Sequence, residues 1–598
     1  MFRNVGTARC IARQCCRNWK GRRHLSRSSK HLSSGKLQWS YSAGSSETPL
    51  IGKTIDQALE AAVEKYASRT FCVFSDENLR LTYEETRAKV NQLAAGLTAI
   101  GVDPGDRVAV LAPNISEYIL LQYALARMGA LLVTINPAYQ VGELQHALKK
   151  VGCKVLVSLD KFKTLDYHRM ITAIAPELST SKPGELKSKN LPDLKHVVFV
   201  SPKRFTGAWS FQDLMDAGES RHYKQVEELF YKLQFDDPIN ILFTSGTTGS
   251  PKGTVLTHHN IVNICNSSGI RLGYPDYKDS ASILCPVPMF HVSGLYVGST
   301  TTLLHGGKVV WPSAGFDATK ALKASQDERV NLMSGIPTMW IDYLNHPQFD
   351  TFDLSSVHTG LVGGSQCPEE LMRQMVEGFK LEALFILYGM TECTALVCGT
   401  DPKKDSMKMQ MSSIGKAIDN LETKIVDQEG RVVPVGTSGE LCCRGFSTML
   451  HYWEDEEKTR ETLRNDGWLY TGDTATMDED GYTYIVGRSK DMICRGGENI
   501  FPAEIEDYLL TNEKVQSAQV VGVPDERLQE EICACILLRQ GEQATEEEIV
   551  AFCKGNISHQ KVPRHVIFVE SFPLTPVGKV KKYVLREMAK EKLGLEDV

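Results

Sequence analysis

The run TSGTTGSPKG, residues 244–253, gathers residue types that hold phosphate. Gly246, Gly249 and Gly253 let backbone N–H groups approach an anion closely, and Ser245, Thr247 and Thr248 add hydroxyl donors. Lys252 adds a positive charge, and Thr244, Ser250 and Pro251 complete the candidate phosphate-binding run. The run is not the common nucleotide loop, G-x-x-x-x-G-K-[ST]. Pro251 stands five residues after Gly246, and Lys252 is followed by Gly253. The tripeptide GKT at residues 52–54 also fails, because Glu47 occupies the place of the first glycine. A polar hairpin loop between the apolar runs INILF and GTVLT is the structural alternative.

Four more runs follow in order: YGMTE (388–392), YTGD (470–473), GRSKDMICRGGENIFPAEIE (487–506) and PVGKVKK (576–582). With the loop, they resemble the signatures of the adenylate-forming enzymes, which include acyl-CoA synthetases, peptide-synthetase adenylation domains and luciferases. The resemblance extends from about Thr54 to Gly594. It is nearest to mitochondrial acyl-CoA synthetases of medium-chain fatty acids. It implies ATP, magnesium and coenzyme A as cofactor and cosubstrates, and a carboxylate activated as its adenylate. That chemistry brings two anions together, so it needs cations and positioned donors more than a protein nucleophile.

The resemblance also implies roles. Lys579 matches a lysine that bridges carboxylate and α-phosphate. Thr391 and Glu392 match phosphate and magnesium contacts, and one carboxylate plus substrate phosphates is usual for magnesium. Gly364 and Ser365 of GGSQ, with Tyr388 and Gly389, match an adenine pocket. Asp473 and Arg488 match ribose contacts. Lys490 and Asp491 match a hinge about which a C-terminal domain turns between the two half-reactions, and Gly496 and Gly497 a loop near coenzyme A. His291 of PMFHVSG matches a position by the acyl and coenzyme tunnels, although a lone histidine is often simply packed. Residues 334–340, SGIPTMW, and Gly363 match the acyl pocket, with Met339 and Trp340 making it apolar.

These residues need a frame. From Thr54 onward, apolar runs such as DRVAVLAPN, ALLVTINP and KVLVSL alternate with amphipathic stretches at 116–127 and 141–150. That alternation predicts an α/β fold with mostly parallel sheets covered by helices, and functional loops at the strands' carboxyl ends. From Ser413 the texture turns to short strands, predicting a small, distorted β-barrel-like subdomain over 413–487 with a hairpin turn at 478–481. The remainder predicts a small α+β domain with helices at 502–510 and 546–554. The expected division is 1–46 leader, 47–487 large domain, 488–491 hinge and 492–598 mobile lid.

The first 46 residues hold ten Lys and Arg and no acid, against a net charge of −6 for the whole chain. With Arg9, Arg13 and Arg17 at helical spacing and many serines, they predict a mitochondrial transit peptide, read by the import machinery and directing the chain to the matrix. A basic tail for nucleic acid or anionic lipid is the alternative. The body shows no basic patch, so no nucleic-acid partner is expected. The most apolar segment, 118–139, is interrupted by Gln122, Arg127 and Asn136, so it predicts no membrane span, and peripheral contact stays open. Sixteen cysteines without a C-x-x-C predict free thiols and no metal cluster. A CoA ligase for an aromatic or branched acid, or a nucleotide-binding relic without catalysis, are the competing functions.

Overall fold

The computed structural model describes residues 36–595, apart from 245–250, 278–279, 496–497, 526, 555, 558 and 576–577. Two large sheets form the N-terminal domain. In the first, the strands Trp209–Ser210, His196–Val200, Val155–Leu159, Arg107–Leu111, Leu131–Ile135 and Pro238–Thr244 lie side by side and parallel. Lys252–Thr257 and His451–Tyr452 then extend it antiparallel. The runs at 131–135 and 155–159 are almost wholly buried, as expected for strands covered on both faces. The helix Ser116–Met128 is buried nearly throughout and stops at Gly129, whose left-handed φ of 70° glycine adopts without a Cβ penalty.

The second sheet has nine strands. Its parallel centre includes Leu332–Gly335, Thr359–Gly363 and Ala383–Tyr388 in adjacent register. The last two end in GGSQ and GMTE, so two signature segments leave neighbouring strand ends. The expected barrel-like unit is a five-stranded antiparallel sheet, ordered 41–43, 421–426, 439–445, 469–477 and 483–488. Its last hairpin turns at 478–481, where Asp478 accepts the backbone N–H of Asp480 and Tyr482. Its first strand, Tyr41–Ala43, lies inside the basic N-terminal stretch.

The C-terminal domain packs the helix Pro502–Leu509 against the long hairpin Val515–Asp525 and Gln529–Leu538. The helix Glu546–Cys553 starts with a capping box made by Thr545 and Glu548. Cys533 and Cys535 share one face of the hairpin and are buried with Leu585 and Ala589 of the last helix. The buried cysteines among the described residues are free thiols. No helix among the described residues is long and apolar enough to cross a membrane.

Candidate active site

Thr244 and Lys252 are cross-strand partners at the base of the phosphate-type loop. Residues 245–250 lie outside the described residues. The loop therefore joins two paired strands, as the hairpin alternative also required. What surrounds its base decides its use. Glu392 follows the strand Ala383–Tyr388 in a tight turn, and is only 6 % exposed. Its Oε1 accepts from the Tyr452 hydroxyl at 2.7 Å and from Thr244 Oγ1 at 3.5 Å. Thr394 and Ala395 hold positive φ of 53° and 74°, a sparsely populated conformation for such residues. The turn is braced by Thr394 Oγ1 donating to Ser447 O and by Met449 N donating to Glu392 O. Gly389 is required here, since a Cβ would stand 2.2 Å from Ala395 O.

Asp473 sits directly opposite Arg488 in the antiparallel ladder of the small sheet. Arg488 Nε reaches Asp473 Oδ1 at 2.9 Å, and the Tyr388 hydroxyl donates to Oδ2 at 2.6 Å. The YTGD acid is thus buried, 6 % exposed, and shared between the large-sheet strand and the residue that ends the small sheet. Burial, with the Asp473 charge, holds the Tyr388 phenol well above its usual range, so it acts as a donor. Gly364, with φ 86°, and Ser365 are exposed at the neighbouring strand end. The chain passes from Arg488 into the short turn Ser489–Asp491, where Lys490 is exposed, and then into the C-terminal domain.

That domain delivers Lys579 to the same place. Burial and the nearby Arg488 guanidinium lower the Lys579 ammonium to about 8, while the Asp473 and Glu392 carboxylates and then Lys490 also act on it. Its loop is a tight turn in which Lys579 N donates to Thr575 Oγ1 and Gly578 N to Thr575 O. A Cβ on Gly578 would stand 2.3 Å from Ile336 Cδ1 and 3.1 Å from Thr338 Oγ1, so the loop is closed onto the large domain. His291 lies within electrostatic reach of Lys579; burial and that charge push its imidazole down to about 4, leaving it neutral. After it, Ser293–Thr300 winds as a π-helix, a rare form frequent at functional sites.

Sequence and structure differ at particular residues. Trp340 and Met339 do not face the lysine loop. Trp340 packs edge-on against Tyr343 and Phe379 in the core beneath the second sheet, whereas Ile336 and Thr338 stand at the site. Residues 496 and 497 lie outside the described residues, although the strands flanking them pair at Arg495 and Glu498. Tyr452 was invisible to motif reading. It lies in LHYWEDE, and only the pairing of 451–452 with 254–255 brings it beside Glu392.

An α/β domain with a small antiparallel sheet, capped by an α+β domain that brings a lysine within electrostatic reach of two acids, defines a class. The AMP-binding enzyme family matches residues 59–453 and the AMP-binding enzyme C-terminal domain residues 504–579, so the chain belongs to this family. Among relatives, it is 46% identical over 561 residues to the medium-chain acyl-CoA ligase ACSF2, mitochondrial, of Danio rerio, covering 94% of this chain and 92% of that protein. Identity to the Homo sapiens protein of that name is 43%, covering 93% and 91%. The fold matches the anthranilate CoA ligase AuaEII in complex with anthranoyl-AMP, with TM-score 0.79 and 25% identity over 92% of this chain and 99% of that one. ATP-bound MatB from Rhodopseudomonas palustris matches with TM-score 0.75 and 25% identity, over 90% and 99%.

Proposed function

We propose that this chain joins a medium-chain fatty acid to coenzyme A through an acyl adenylate, in the mitochondrial matrix. The observation that carries the reading is Lys579, brought from the small domain into the company of Asp473, Glu392 and Arg488. In the first step a carboxylate oxygen attacks the α-phosphorus of ATP and the bond to pyrophosphate breaks. Lys579 is the cation that holds both anions as they meet. Asp473 and Arg488 hold the ribose, and Tyr388, Gly389, Gly364 and Ser365 the adenine. The loop 244–252 and Thr391 hold the departing phosphates. In the second step the thiol sulfur of coenzyme A attacks the acyl carbon. The bond to AMP breaks and the thiol proton is released. Lys490 and Asp491 form the hinge for the turn between steps, and Gly496 and Gly497 the loop beside the pantetheine arm. A neutral His291 gates or positions the acyl group, a role supported by its electrostatic reach to Lys579.

A divalent cation fits the site. Glu392 is a buried carboxylate with one oxygen already held by two hydroxyls, and a hard oxygen donor beside bound phosphates suits magnesium. Bound magnesium would neutralise phosphate charge. Medium chain length is supported by the 43% and 46% identical relatives that carry that name. An aromatic acid is the second reading, favoured by the likeness to the anthranilate ligase. Mitochondrial import is supported by the acid-free N-terminus and the relatives' name. We draw the leader back from residue 46 to before residue 36, because Leu37–Ser45 is hydrogen-bonded into the small sheet.

The test is pyrophosphate release with magnesium-ATP and acids from acetate to palmitate plus benzoate, with and without coenzyme A, beside Lys579→Ala. Release that peaks at intermediate chain length, gives acyl-CoA only with coenzyme A and collapses in the variant is expected. A peak at benzoate selects the second reading. ATP binding without release above the variant for any acid makes the chain a nucleotide-binding relic and refutes the proposal.

A further inference from the structure

Tyr452 lies outside all five signature runs yet touches two of them. Its hydroxyl donates to Glu392 Oε1 at 2.7 Å, and Lys252 Nζ stands 4.9 Å from the centre of its ring. The side chain is 3 % exposed. Its backbone is fixed by the sheet: Tyr452 pairs with Thr254, Trp453 N donates to Gly253 O at 2.7 Å, and Tyr452 N donates to Thr459 Oγ1 at 2.9 Å. A strand of two residues is a minimal way to extend a sheet. Its place here puts one phenol between the base of the phosphate loop and the acid of the GMTE turn.

We propose that Tyr452 is a positioning residue for the metal–phosphate group: it holds one oxygen of Glu392, leaving the other for the cation, and seats Lys252 at the mouth of the loop. The carboxylate and the lysine come from different sheets, and a free pair of this kind would adopt many rotamers. A single rigid ring bonded to one and stacked under the other fixes both. Partners of a metal ligand commonly matter in this way, their loss costing roughly tenfold to a hundredfold in metal affinity. The inference rests on the ligase reading, in which Glu392 meets the cation.

The test uses the full protein, manganese as the probe and α,β-methylene ATP, which cannot release pyrophosphate. Free manganese is read from its paramagnetic resonance signal. Tyr452→Phe keeps the ring over Lys252 and removes only the hydroxyl. Manganese affinity in the ternary complex should fall by at least about tenfold. Binding of the analogue in chelator should be unchanged, as should thioester formation from supplied acyl adenylate. In a Glu392→Gln background, Tyr452→Phe should cause no further loss of manganese. Unchanged manganese affinity, equal loss with and without metal, or failure of Tyr452→Phe to fold would each overturn the inference, the last two by making the hydroxyl structural. The ligase reading fails separately: the parent would then give no pyrophosphate with any acid, whatever the manganese titration shows.

Discussion

Replacing Gly578 by alanine puts a methyl group where the closed lid has no room. Gly578 holds φ at 78°, and the new Cβ would stand 2.3 Å from Ile336 Cδ1. The left-handed backbone costs an alanine about 1–2 kcal/mol. Crowding against Ile336 adds about 1–3 kcal/mol, the usual range for an overpacked contact. The crowding penalty falls on the closed arrangement, because that contact spans the two domains, whereas the backbone penalty belongs to the loop's own turn in either arrangement. A crowding penalty of about 2 kcal/mol corresponds to roughly a thirtyfold loss at 1.4 kcal/mol per decade. Pyrophosphate release should fall by that factor or more, while thioester formation from supplied acyl adenylate falls less. Ile336→Val removes the Cδ1 atom, so Gly578→Ala in that background should recover most of that loss. Equal losses in both half-reactions, or no recovery with Ile336→Val, would refute the reasoning.

Three further outcomes are expected. Lys579, lowered to about 8, is a cation below that pH and neutral above it. The kcat/KM for pyrophosphate release should therefore fall as pH rises through about 8, and Lys579→Arg should remove that alkaline fall from whatever activity it retains. Lys490→Pro fixes φ at the pivot and should impair thioester formation more than adenylation, tested by measuring the half-reactions separately. Protein beginning at Glu47 loses the strand Tyr41–Ala43, together with Ser40 N to Val433 O and Gly44 N to Leu421 O. It should melt several degrees below protein beginning at Lys36, each lost hydrogen bond being worth about 1 kcal/mol; equal melting would restore the longer leader.

Much of the frame could be read from periodicity. The helix expected at 116–127 spans Ser116–Met128, and that expected at 141–150 spans Val141–Val151. Both end where Gly129 and Gly152 turn left-handed, a local signal. The candidate site residues could be named because each signature run is short and contiguous. What escaped was assembled over distance. Tyr452 has no sequence signal, since its partners Glu392 and Lys252 meet it only through sheet pairing. Trp340 reads as pocket lining from its place in the run 334–340 and its hydrophobicity, but on the helix Pro337–Leu344 it falls on the side facing Phe379. The strand at 41–43 did carry a signal. Leu37, Trp39, Tyr41 and Ala43 alternate with polar residues, a two-residue period masked by the basic composition around it.

That strand has a consequence for how the molecule is made. The Ser40 hydroxyl donates to Pro434 O across 394 residues of chain. An N-terminal segment synthesised first must wait for its sheet partners, which follow every strand of both large sheets except His451–Tyr452 in sequence. Contacts of such separation form late, and an unpaired apolar edge meanwhile invites the wrong neighbour. Folding yield, rather than turnover, is therefore the property most exposed to changes in Trp39 and Tyr41, and a chaperone that shields this edge would act on the youngest stage of the protein's life.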